Sequence, residues 1–124
     1  MSRSVIWGLV LLSSSSIVAS QTDLNYRFCT VEAEVSRYFM QMRQQGISVS
    51  NALAREKARI EQHATENGAD RNMLDHIWMS NQDAILRAYD HPIGATQGQK
   101  DQIITEHENR VLSDCLRATG QLSR

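Results

Sequence analysis

Residues 24–46 read LNYRFCTVEAEVSRYFMQMRQQG, the longest unbroken helical pattern in the chain. Leu24, Phe28, Val31, Val35, Tyr38/Phe39 and Met42 recur at steps of three and four, which puts them on one helix face. A weaker apolar line of Tyr26, Cys29, Ala33 and Met40 lies more than a quarter-turn away. A helix with two apolar faces is covered on two sides, so this stretch is expected to be central. Asp23 is a good N-cap for it. At the other end, Gly46 fits the left-handed position after a helix. Met42 and Ile47 are then placed as the apolar pair of a Schellman ending.

Working outward, the rest of the chain reads as three more helices. Ser48-Val49-Ser50-Asn51 offers N-caps for the second. Its stripe is Val49, Leu53, Ile60 and Ala64, with Glu56 in the gap, and Asn67-Gly68 ends it. Asp70 caps the third, whose stripe is Leu74, Ile77/Trp78, Ile85 and Ala88/Tyr89. Asn81 falls within that stripe, so it is expected to be hydrogen-bonded inside or at a rim. Asp90-His91-Pro92 stops this helix, because the residue before a proline is pushed out of the α region. Residues 91–98 form the longest loop. Thr96, followed three residues later by Gln99, matches a capping box for the fourth helix. Ile104, Val111, Cys115 and Ala118 line one face of that helix, widened by Leu112 and Leu116, and Gly120 closes it.

The chain has 124 residues and a formal net charge of −1, with acids and bases interspersed. That length supports one small domain. No basic stripe points to nucleic acid and no acidic block to a solvated tail. Before the helices come Arg3, a short apolar run at Val5–Leu12, and small polar residues ending in Val18-Ala19-Ser20. This is the pattern of a signal peptide, with cleavage expected after Ser20. The apolar run is far shorter than the ~20 residues that span a bilayer. The expected mature domain is therefore 21–124, periplasmic or secreted, with no membrane contact after the leader is removed.

Export gives the two cysteines their meaning. Cys29 and Cys115 are an even count in an oxidising compartment. Redox pairs are usually adjacent, as in C-x-x-C, so a structural disulfide is favoured over a redox or metal-binding thiol pair. Short connections favour antiparallel neighbours, which would bring both cysteines to the same end of the first and last helices. Cys29 is on the weaker face of its helix. Helix 4 is thus expected on that side, with helices 2 and 3 on the stronger stripe.

The chemistry is sparse. No G-x-S-x-G, H-E-x-x-H or glycine-rich phosphate loop occurs. Met73-x-x-His76-x-x-Met79 could offer soft ligands to copper, although a core Met73 with edge neighbours is the commoner arrangement. His107 and Glu108 could do acid–base work near a rim, but such groups are more often satisfied neighbours of a core. Glu32, Glu34, Asp75 and Asp83 read as solvated faces. The loop is the better candidate binding surface, through Tyr89, His91, Pro92 and Ile93. Against that, Pro92 and Gly94 could merely shape the turn. No catalytic, cofactor or metal residue is assigned.

Phe28-Cys29, Arg43-Gln-Gln-Gly46-Ile-Ser48, Ala88-Tyr89-x-x-Pro92 and the late Cys115 together resemble a loose family of small exported proteobacterial and phage-borne helical proteins. The resemblance implies a leader, a helical body and two paired terminal cysteines. It implies no activity and no site residues. The functional expectation is an exported, non-catalytic protein that binds another periplasmic protein, as an inhibitor, immunity or stress factor. Copper handling and a cell-wall or lysis role are the alternatives.

Overall fold

The absence of glycine and proline between residues 13 and 44 leaves nothing to interrupt a helix there. In the computed structural model, which describes residues 13–121 with side chains from residue 21 onward, α1 accordingly runs from Ser13 to Gln44. Asp23 is therefore not its N-cap. It lies inside α1, where its carboxylate pairs with Arg27 one turn on, at 3.4 Å. Arg3 and the apolar run at residues 5–12, on which the expected leader rests, lie outside the described residues.

The other boundaries follow the local signals. Gly46 takes a positive φ of 79°. The Gly46 and Ile47 amides donate to the Arg43 and Met42 carbonyls at 3.0 and 3.2 Å, the bond pair of a Schellman ending. Ser48 caps α2 (Val49–Asn67) by accepting from the Asn51 amide, and Gly68 ends it in the left-handed region. Asp70 caps α3 (Arg71–Tyr89). Thr96 caps α4 (Gln97–Ala118), accepting from the Gln99 amide at 3.2 Å. The return bond of the capping box goes one residue further out, from the Ala95 amide to Gln99 Oε1 at 2.8 Å. All four elements are helical, and no strand occurs among the described residues. None of these helices is long and apolar enough to cross a membrane.

The helices associate as two antiparallel pairs, α1 with α4 and α2 with α3, and α3 also packs on α1. Cys29 and Cys115 are joined, linking first and last helices across 86 positions with Cα atoms 5.5 Å apart. Arg37 and Glu108 pair further along the same seam at 2.6 Å. The buried line of α1 is Cys29, Ala33, Ser36 and Met40. Three of these four side chains are small, which lets the α4 backbone come close.

This reverses the expected ranking of the two faces. Helix 4 does cover the weaker line, and from Cys29 onward that line is the buried one, although Tyr26 at its start is 53% exposed. The stronger stripe is covered only from Val35 onward, where Phe39 and Met42 meet Ala52, Ile85, Ala88 and Ile104 in the core. Leu24, Phe28 and Val31 stay 55, 63 and 57% exposed. The physical reason is the placement of the α2–α3 pair. It reaches α1 mainly through α3, and α2 touches α1 only marginally.

In α2 the gap in the stripe is filled. Glu56 is 1% exposed, and its carboxylate accepts from Arg59 Nε at 3.0 Å and from Asn81 Nδ2 of α3 at 2.9 Å, with Arg59 Nη2 as a further partner. Asn81 thus bonds at the rim of the α2–α3 interface. A buried carboxylate is tolerated only when it is paired and hydrogen-bonded in this way.

Because the disulfide closes a long loop between the two helices of one seam, Cys29→Ser and Cys115→Ser should lower stability to similar extents. On the chain-entropy account the loss is about 2–5 kcal/mol each. Urea denaturation of the two variants beside the oxidised protein measures it, and a loss confined to one variant would contradict a purely shared clamp.

Candidate functional site

The loop between α3 and α4 is held from below by the last turn of α1. Arg43 Nε donates to the His91 carbonyl at 3.0 Å, and its guanidinium stands 5.3 Å over the Tyr89 ring. The Tyr89 hydroxyl donates to the Ile47 carbonyl at 2.6 Å. Burial pushes the Tyr89 phenol above its ordinary pKa, partly opposed by Arg43 and Arg55. Gln44 is buried and uses both ends of its amide. Nε2 donates to the Pro92 carbonyl and Oε1 accepts from the Gly94 amide, each at 2.9 Å. The Arg43–Gly46 and Ala88–Pro92 segments, far apart in sequence, therefore form one joint.

Of the four residues proposed for a binding surface, Tyr89 and His91 are half-buried with interior partners, whereas Pro92 and Ile93 are exposed at the loop tip. Gly94 presses against the first turn of α4. A Cβ there would lie 2.7 Å from the Lys100 amide nitrogen and 2.9 Å from the Gln99 carbonyl carbon. Both are backbone atoms that cannot step aside. Gly94→Ala should cost about 1–3 kcal/mol by overpacking. The control Gly98→Ala, whose nearest contact is at 4.0 Å, should cost less, and thermal melts of the two compare them directly.

His107 lies beneath this joint. Its ring meets the His91 ring edge-on, with centroids 5.0 Å apart. It is 6% exposed, and its Nε2 is the one buried side-chain nitrogen or oxygen without a hydrogen-bond partner among the described residues. Glu108 does not join it, because its carboxylate is taken by Arg37. Sequence reasoning placed His107 at a rim. The missed signal is positional: His107 continues the buried α4 line between Ile104 and Val111, one turn from each.

His107 and Ser36 both line a cleft of about 170 Å³ between α1, α3 and α4. Phe28, Val31, Val35 and Val111 supply apolar wall, while Glu32, Asp83 and Arg87 also line it. Sequence reasoning did not identify this cleft, since its lining comes from three helices. Met73, His76 and Met79 are elsewhere, all exposed on α3, so Met73 is not a core residue. Glu32, Glu34, Asp75 and Asp83 are exposed as expected.

Burial holds the His107 imidazole below its ordinary pKa, reinforced by His91, Arg110 and Arg87. The native state therefore resists a proton that the unfolded chain accepts near pH 6.5. This contribution to stability is intact above about pH 6.5 and is lost as pH falls from there toward the lower native value. His107→Leu should flatten the slope of unfolding free energy against pH in that window, as read by urea titrations between about pH 7.5 and 5.

No family model matches this chain, and neither a curated protein nor a solved structure does.

Proposed function

We propose that this chain is exported, loses its leader after Ser20, and acts without catalysis by binding another protein outside the cytoplasm. The observation that carries the reading is the exposed apolar row of Leu24, Phe28 and Val31 on α1, flanked by exposed Tyr26. Contiguous apolar surface on a small protein marks interaction sites more often than singly scattered residues do. A helix backbone held to its neighbour by a covalent bond needs little further ordering on binding, which favours affinity. The disulfide supports the exported setting, since such bonds persist mainly in oxidising compartments. An inhibitor, immunity or stress factor is the kind of role this format serves, an analogy of scaffold only.

The test is affinity capture from periplasmic extract with the mature protein and with the double variant Leu24→Asp/Phe28→Asp. The expected result is a partner retained by the former and lost by the latter, with helical content and melting temperature unchanged. Equal recovery by both proteins, or no partner in repeated captures, overturns the reading.

A further inference from the structure

Helices α1 and α3 run in the same direction, since their C-terminal ends meet through Arg43 with His91 and Tyr89 with Ile47. Val35 of α1 and Ala84 of α3 are half-buried against the common core. From there both helices continue toward their N-termini with the same steps of four, three and four. On α1 the series is Val35, Val31, Phe28 and Leu24. On α3 it is Ala84, Ser80, Ile77 and Met73. Such spacing keeps each series on one helix face. Val31, Val35, Ser80 and Ala84 line one cleft, so the two faces look toward each other. Yet below the cleft neither is covered: Ile77 and Met73 are 40 and 56% exposed, like Leu24 and Phe28 across from them. The two helix pairs thus open into a groove with an apolar stripe on each wall.

We propose that a second copy of this chain fills the groove, so that residues 24–31 of α1 and 73–80 of α3 from two copies close into one antiparallel four-helix core. The same patch then serves on both copies, as two-fold symmetry requires. The area fits. At roughly 200 Å² for a large side chain fully exposed, Leu24, Phe28, Val31, Met73 and Ile77 present about 500 Å² of apolar surface per copy. A standard interface takes about 800 Å² from each partner, and in homodimers about 65% of it is apolar. The two stripes therefore supply the apolar share of one such interface.

Like copies also meet little repulsion here. Beside the α1 stripe Asp23 pairs with Arg27 at 3.4 Å, and beside the α3 stripe Asp83 pairs with Arg87 at 2.8 Å. Each pair is neutral within its own copy, so these charges neither steer a second copy away nor lose a partner when it arrives. The dimer goes beyond the protein-contact reading and does not depend on it. Another protein and the second copy compete for Leu24, Phe28 and Val31, so dissociation of the dimer precedes capture.

Sedimentation velocity of the oxidised mature protein from about 1 to 200 µM should show a reversible dimer with a dissociation constant on the order of 10 µM. Met73→Glu/Ile77→Glu should be monomeric across that range with unchanged helical content, because both side chains are exposed in the single copy. Met79→Glu, at an exposed position about a third of a turn from the stripe, should dimerise like the parent. On dilution of the parent, the methyl NMR signals of Leu24, Val31, Met73 and Ile77 should move while those of Met79 and Leu86 stay. A dimer that Met73→Glu/Ile77→Glu dissolves, with no other protein captured, supports the proposal and overturns the protein-contact reading. A monomer at every concentration overturns the proposal and leaves that reading untouched. The proposal also fails if Met73→Glu/Ile77→Glu dimerises normally, or if the dilution shifts are confined to Met79 and Leu86.

Discussion

The close approach of α1 and α4 is the constraint on which the other contacts depend. Small side chains at Cys29, Ala33 and Ser36 allow it, and the Cys29–Cys115 bond holds it at one end. At the other end Met40 enters the core, and Gln44 ties the chain as it arrives from α3. With that seam fixed at both ends, the α2–α3 pair has only the C-terminal half of α1 left to pack on. Its own internal interface is then anchored by Glu56, Arg59 and Asn81.

Four polar side chains are buried in the interior, Ser36, Gln44, Glu56 and His107, and the last three differ in an informative way. Gln44 binds two backbone groups of the α3–α4 loop, so its amide takes the place of secondary structure where the chain turns. Glu56 is a charge held by two neighbours. His107 has a ring contact with His91 but no partner for Nε2. As the one buried side-chain nitrogen or oxygen without a partner among the described residues, His107 Nε2 is the exception that calls for a physical reason.

The exposed end of α1 is a consequence of the same geometry. The helix extends beyond the segment that α3 covers, so its apolar row continues past the core that would normally bury it. Two surfaces result, an open apolar row and a narrower cleft, and they share Phe28 and Val31. The row is broad and unspecific, suited to a protein surface, whereas the cleft is small and lined by polar as well as apolar side chains.

Local chemistry was legible from residue types. Gly46, Gly68, Ser48, Asp70, Thr96 and the pre-proline stop each act within a few residues of where they sit, through backbone geometry and one side-chain bond. Two cysteines, read against an expected exported setting, identified the clamp, because they had only each other. The covered side of each helix was not legible in the same way. Apolar count ranked the Leu24–Met42 stripe above the Cys29–Met40 line, but close helix packing selects small residues as readily as large ones, so Ser36 and Ala33 were undervalued. Glu56, Gln44 and His107 were hidden for a related reason: a polar side chain is buried only if its partners arrive from other helices, and those partners are distant in sequence. The sequence by itself thus determined four helices, their covalent link and their ends apart from the start of the first helix, which begins at Ser13 rather than after Asp23. The tertiary structure decided which faces are covered, which polar groups are satisfied and where a cleft opens, since burial depends on the relative placement of helices that no local pattern encodes.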